Sequence, residues 1–281
     1  MSLQQTELGW VLANKRRGAS HRKNHTACQD AYAVASTRID DKQCLAIAVA
    51  DGHGSKDHDL SQYGAEYAVE IAIKELLAFF KNFYAQEKSL TLLKKNFKDN
   101  FPRRLGLHWR NAILKDALNR RLSLPIALTQ QNDTYMIKRY GTTLLVALVL
   151  PDILLMGKIG DGDILRFTAE NQIENLFNEN NELIANYTYS LSSPGADKLW
   201  EIVILTRNKG EALILATDGL SNAFIDEVQF HAFCSSTFRR IQEFGMKSVE
   251  SVLPQWLDDY SSQATGDDIT LVMFTDYFQL S

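Results

Sequence analysis

Leu45-Ala46-Ile47-Ala48-Val49-Ala50-Asp51-Gly52-His53-Gly54-Ser55 is the stretch whose reading decides the fold. Six apolar residues run without interruption into an acid and a turn, the pattern of a strand buried on both faces. The end of such a strand is a rigid platform from which Asp51 projects. Gly52 has no Cβ, so its carbonyl can approach an ion closely. His53 carries the side chain whose ordinary pKa lies near neutrality, which suits proton transfer. Alone, the stretch reads equally well as a strand closed by an ordinary Asp-Gly turn. What separates the two readings is that the pattern recurs.

Outward from this run, strands are expected at Trp10–Ala13 and Asp30–Ala35, joined to it in a short meander. Leu60, Tyr63, Tyr67, Ile71, Leu76, Phe80 and Tyr84 then recur at helical steps, which predicts an amphipathic helix over 60–84. Residues 86–102 have little periodicity. Pro102 marks the start of a second helix to about Arg121, completing a helical pair at about 60–121. Residues 122–140 read as an irregular link. Strands return at 142–150, 153–159, 164–167, 200–205 and 212–216. Between them, 169–198 is rich in Asn, Glu and Ser and reads as a flap or long loop. Two helices near 224–242 and 246–263 precede a last strand at 269–274. Helices grouped between runs of strands argue for α+β rather than a parallel α/β sheet. One domain over 1–281 is expected.

Composition narrows the function classes. Apolar residues make up 45% and charged residues 23%, ordinary for a globular protein with a real core. A net charge of −4 argues against a nucleic-acid binder or a partner of anionic membranes, both of which need a basic surface. No apolar run is long enough to span a bilayer. The first residues lack the basic start and apolar block of a secretion signal. Cys28, Cys44 and Cys234 are isolated, which suits a reducing compartment and excludes a thiolate zinc cluster. A cytoplasmic location is the expectation.

The recurring feature is acidic. Asp51 follows Val49-Ala50, Asp161 follows Ile159-Gly160, Asp218 follows Ala216-Thr217, Asp267-Asp268 precedes Ile269, and Asp30 opens a strand. Carboxylates gathered at one end of a sheet repel each other, and without a countercharge at least one takes up a proton. A divalent cation removes the conflict, and oxygen donors without Cys or His point to Mg²⁺ or Mn²⁺ rather than zinc. Two such ions about 4 Å apart can share a water, lower its pKa and hold it in line with a phosphorus atom. The competing reading is a set of scattered turn aspartates.

At this point the sequence resembles the metal-dependent serine/threonine protein phosphatases of type 2C. Asp51-Gly52-His53-Gly54-Ser55 matches their Asp-Gly-His-Gly element, and Gly141-Thr142-Thr143 their Gly-Ser/Thr-Thr strand opening. Gly160-Asp161-Gly162, Ala216-Thr217-Asp218-Gly219-Leu220 and Gly266-Asp267-Asp268-Ile269-Thr270 are similar to three further elements, in family order. Gly18-Ala19-Ser20-His21 with Cys28-Gln29-Asp30-Ala31 is most similar to a bacterial branch. The resemblance implies a four-layer α-β-β-α sandwich, with two central antiparallel β-sheets flanked by pairs of helices. It implies that Asp51 bridges two metals, that the Gly52 carbonyl binds one, and that Asp218 and Asp267 hold the other. Asp30 falls in the outer shell, Asp161 with Asp218 at a weaker third site, and His53 on the general acid.

Three positions depart from the family pattern. His25 stands where many members carry a phosphate-gripping arginine, leaving Arg22, Lys23, Arg16 or Arg17 as substitutes. An imidazole is a poorer phosphate partner than a bidentate guanidinium. Gln29 stands where a metal-binding glutamate sometimes occurs, and Asn222 where some members place an aspartate for a third ion. The expected activity is removal of phosphate from Ser or Thr of phosphoproteins, with a cognate Ser/Thr kinase as a further partner. The alternative is a phosphatase-like scaffold with little turnover.

Overall fold

The two faces of the run at 45–50 go to different cores. Leu45, Ile47 and Val49 join one apolar cluster, whereas Ala46, Ala48 and Ala50 join another. Period-two alternation in a strand apolar on both faces therefore demands a layer above it and a layer below. The computed structural model, which describes residues 2–122, 132–170, 172–177 and 188–277, supplies both.

The chain runs β1 (Ser2–Gln5), β2 (Trp10–Arg16), α1 (Ala19–Lys23), β3 (Ala31–Ile39) and β4 (Lys42–Ala50). Next come α2 (Ser61–Phe79), α3 (Leu90–Asp99), α4 (Phe101–Asn119) and α5 (Asn132–Arg139). The strands β5 (Leu144–Val149), β6 (Ile153–Ile159), β7 (Asp163–Phe167), β8 (Ile173–Asn175), β9 (Glu201–Thr206) and β10 (Ala212–Ala216) follow. The chain closes with α6 (Asp218–Ser221), α7 (Glu227–Phe244), α8 (Met246–Glu250), α9 (Leu253–Tyr260) and β11 (Ile269–Thr275).

The strands form two antiparallel sheets, ordered β3-β4-β5-β6-β9 and β1-β2-β11-β10-β7-β8. Leu45, Ile47, Val49, Leu145 and Ala147 from one sheet meet Leu213, Leu215, Val272 and Phe274 from the other. The outer face of the five-stranded sheet packs on α2, α3, α4 and α5. The outer face of the six-stranded sheet packs on α6 to α9. This is the α+β sandwich of two antiparallel sheets between helical layers. Small residues set the spacing on the first face: Ala46, Ala48 and Ala50 of β4 and Ala65, Ala68 and Ala72 of α2 are all fully or almost fully buried.

Several elements differ from the sequence expectation. The segment 60–121 holds α3 in addition to the α2–α4 pair. Ser89 caps α3 by accepting from the Leu92 N–H at 3.3 Å, and Leu93 and Phe97, one turn apart, supply its buried stripe. Two apolar contacts in ten residues are too sparse a pattern to read from sequence. The link at 122–140 contains α5, anchored by buried Met136, Ile137 and Tyr140, while 123–131 lie outside the described residues. The expected helix at 246–263 divides into α8 and α9, with Pro254 in the first turn of α9. In the expected flap, 173–175 pair with β7 as edge strand β8, and 178–187 lie outside the described residues.

Candidate metal centre and active site

Antiparallel register brings the acids to one end of the sandwich. Ala31 pairs with Ala50, so Asp30 and Asp51 leave neighbouring strand ends side by side. Ala216 pairs with both Asp163 and Leu271, which places Asp218, the turn holding Asp161, and Asp267-Asp268 beside one another. Hydrogen bonds join the two sheets there. Thr217 Oγ1 donates to Asp30 Oδ2 at 2.9 Å and accepts from the Thr270 N–H at 2.9 Å.

The loop after β4 is held by the strand opening at 141–143. Thr143 N–H and Thr142 Oγ1 both donate to the Asp51 carbonyl at 2.8 Å. Thr143 Oγ1 accepts from the Asp51 N–H at 3.2 Å, and the His53 N–H donates to the Gly141 carbonyl at 3.1 Å. Close approach explains the glycines. A Cβ on Gly52 would lie 2.8 Å from the Gln29 carbonyl oxygen and 2.9 Å from the Ser61 backbone. One on Gly141 would lie 2.5 Å from His58 Nδ1 and 2.7 Å from His53 Cδ2.

Burial first, then the neighbouring charge of Asp268, pushes the Asp30 carboxyl well above the ordinary carboxylate range. Its Oδ1 meets no donor in good hydrogen-bond geometry. Burial, Asp30 and Asp218 do the same to Asp51. Burial and Asp161 raise Asp218, and burial and Asp268 raise Asp267. Asp51 and Asp218 are among the groups that perturb each other's pKa, so the two carboxyls sit in one crowded, largely buried cluster. The acids are gathered but not closed into a cage: among the described residues, no three acidic, thiol or imidazole groups stand in ready coordination geometry. The chemistry of the donors nevertheless fits a hard divalent cation, since crowded oxygen ligands short of positive charge are what such an ion neutralises.

Asp268, the partner of Asp267 in sequence, does separate work. Its Oδ1 accepts from the Gly18 N–H and its Oδ2 from the Gln29 N–H, both at 2.6 Å, and His21 Nδ1 stands 3.0 Å from Oδ2. It thereby ties β2, α1 and the approach to β3 to the start of β11. Asn222 donates its amide to Asp218 Oδ2 at 2.9 Å, and Thr188 donates to Asp161 Oδ2 at 2.6 Å. Gln29 donates to Ser61 Oγ at 2.8 Å.

Burial, with the adjacent His58, lowers the His53 pKa to about 4, against a smaller opposing pull from Asp161. The two imidazole rings lie 4.7 Å apart. His58, which gave no signal in the sequence, accompanies a clamp from the end of α5. Arg139 makes two 2.7 Å hydrogen bonds to Asp59, Lys138 meets Asp57 at 2.6 Å, and His58 Nδ1 lies 2.5 Å from the Lys138 carbonyl. Alternating charges at 56–59 were the available hint.

Among the candidate phosphate-gripping residues, the arginines have partners outside the acidic centre. His25 is exposed at a left-handed backbone position (φ 56°). Arg22 pairs with Asp258 at 3.1 Å, Arg16 pairs with the same carboxylate, and Arg17 donates to the His21 carbonyl at 2.8 Å.

The sequence matches the profile of the protein phosphatase 2C family over residues 17–258, and the chain belongs to that family. No curated protein is similar enough in sequence to count as a match. Among solved structures, serine/threonine phosphatase Stp1 from Staphylococcus aureus superimposes with a TM-score of 0.60 at 16% identity, covering 98% of this chain and 99% of that one. The catalytic domain of the serine/threonine protein phosphatase PstP, in complex with 2 manganese ions, gives 0.54 at 16% identity, covering 94% and 96%. RsbX in complex with magnesium gives 0.52 at 14%, covering 97% and 98%. At these identities the structural likeness establishes the shared fold. Among the described residues no helix is long and apolar enough to cross a membrane.

Proposed function

We propose that this protein is a single-domain, Mg²⁺- or Mn²⁺-dependent phosphatase that removes phosphate from Ser and Thr of phosphoproteins. The observation that carries the reading is the gathering of Asp30, Asp51, Asp161, Asp218 and Asp267 at one end of the two sheets, several of them buried and raised by one another's charge, an arrangement costly without positive charge. Asp51 would bridge two cations, the Gly52 carbonyl would bind one and Asp218 with Asp267 the other; Asp161 with Asp218 offers a weaker third position. Cations held by these residues would lower the pKa of a water and neutralise phosphate charge. Asp30, held by Thr217, orients the cluster from behind. His53 gives a proton to the departing Ser or Thr oxygen. Its lowered pKa keeps it neutral at rest, and the negative phosphate favours the imidazolium when substrate arrives.

Mn²⁺-dependent hydrolysis of p-nitrophenyl phosphate tests the reading, with phosphothreonine and phosphotyrosine peptides compared alongside. Turnover that survives chelator, or that persists in Asp218→Asn, would sink it. The scaffold reading draws on the phosphate-gripping candidates: Arg22 is spent on Asp258, and His25 is an exposed imidazole rather than a guanidinium. It is favoured by the absence of metal-dependent turnover on every phosphomonoester tried. A cognate kinase and a cytoplasmic location belong to the same proposal; co-purification and fractionation test them.

A further inference from the structure

A cleft of about 830 Å³ opens beside the acidic centre, between the turn after β6 and the connection from α6 to α7. Five carboxylates line it, those of Asp161, Asp163, Asp218, Asp226 and Glu227, and among the described residues none that lines it is Lys, Arg or His. Asp161 and Asp218 belong to the candidate metal centre; Asp226 and Glu227 lie on the far wall and are held there by the fold. Asp226 Oδ1 caps α7 by accepting from the Gln229 N–H at 2.9 Å. Glu227 Oε1 accepts from the Asn175 amide at 3.2 Å.

Between these pairs the lining mixes polar Ser221 and Asn222 with apolar side chains. Phe224 and Ile225 line the cleft, Ile225 is 88% exposed, and Val228 beside it is 75% exposed. Apolar side chains left this bare beside a deep opening mark an interaction surface. The volume lies in the range of clefts that take ligands.

We infer that this cleft docks the polypeptide flanking the phosphorylated residue, and that it selects flanks carrying Lys or Arg next to an apolar side chain. The inference rests on the phosphatase reading for what is bound at the centre and goes beyond it in naming the substrate class. The choice of occupant follows from charge complementarity. With Asp161 and Asp218 given to cations, Asp163, Asp226 and Glu227 still leave the wall acidic, Glu227 with His231 Nε2 3.4 Å away; such a wall repels acidic flanks and attracts basic ones, and the low-dielectric sides of a cleft focus that field. The apolar lip supplies contact area that a polyamine or a bare metal ion would not use.

The test uses two fluorescent phosphothreonine peptides, one with Lys, Arg and Leu around the phosphothreonine, the other with Glu and Asp in place of the basic residues. Anisotropy measures binding, and kcat/KM is measured on the same peptides with p-nitrophenyl phosphate as a flank-free control. The basic peptide is expected to bind about three- to tenfold more tightly, as a few exposed ion pairs allow, with the preference shrinking as salt rises. Asp226→Asn with Glu227→Gln preserves the cap and the Asn175 contact while removing charge; Ile225→Ala trims the lip. The double charge substitution is expected to reduce the preference severalfold, Ile225→Ala to weaken binding of both peptides together with the preference kept, and both variants to leave p-nitrophenyl phosphate turnover unchanged. Equal binding of both peptides, or a preference untouched by the double substitution, overturns the inference. Absence of metal-dependent p-nitrophenyl phosphate turnover in the parent protein, with the peptide preference present, would overturn the phosphatase reading and leave the docking surface standing.

Discussion

Replacing Asp51 with Asn should make the metal-free protein more stable and its response to metal weaker. Burial, Asp30 and Asp218 all raise the Asp51 pKa above its ordinary 3.8, so its ionised form is disfavoured in the folded chain. Each unit of such a shift corresponds to about 1.4 kcal/mol. The sign follows from proton counting. Between the ordinary value and the raised one the folded chain holds more protons than the unfolded chain, so stability falls as pH rises through that window. A neutral amide of the same shape removes this penalty. For a chain of this size about 1 kcal/mol moves Tm by about 2–4 °C, so Asp51→Asn in chelator at neutral pH should melt at least about 2 °C above the parent. Mn²⁺ at a hundred times its Kd would stabilise the parent by about 2.7 kcal/mol, a rise of at least about 5 °C, and the variant by much less. Differential scanning fluorimetry with chelator and with Mn²⁺ measures both shifts. An unchanged melting point in chelator, together with an undiminished Mn²⁺ shift, would refute the claim that these acids compete for one cation cluster.

Gly141→Ala should lower kcat well before it lowers Tm, because its Cβ would press on both His53 and His58; steady-state kinetics beside a melting curve separates the two effects. Asp116 accepts from Tyr67 Oη at 3.1 Å, Tyr140 Oη at 2.7 Å and Arg120 Nε at 2.6 Å, and these donors outweigh burial to hold its pKa below 3.8. Its contribution is present above pH 3.8 and lost as pH falls through the lower folded value, so Asp116→Ala should narrow its Tm deficit in an acid titration. Trp109 is 1% exposed and donates its indole N–H to the Gly64 carbonyl at 2.9 Å, so Trp109→Ala should cost about 3–5 kcal/mol in urea denaturation.

The layering was legible in the chain because strand alternation is local: residues 45–50 state by themselves that both faces are covered, and α2 and α4 announce themselves by repeated apolar steps. The acids at strand ends were legible for the same reason, since each sits where an apolar run stops. Other features depend on residues far apart in sequence. That Asp268 binds the Gly18 and Gln29 N–H groups is invisible in the Asp267-Asp268 pair, because those partners lie 250 and 239 residues away in sequence. That Arg22 is drawn to Asp258 depends on α9 lying against the end of β2. The clamp of Lys138 and Arg139 on 57–59, like the acidic cleft, joins segments that only packing brings together. Sequence determines which groups a chain can offer at each turn, because backbone preference and hydrophobic period act over a few residues. Which of those groups share a charge, a proton or a wall is set by tertiary contact, because electrostatic and packing energies depend on distance through space.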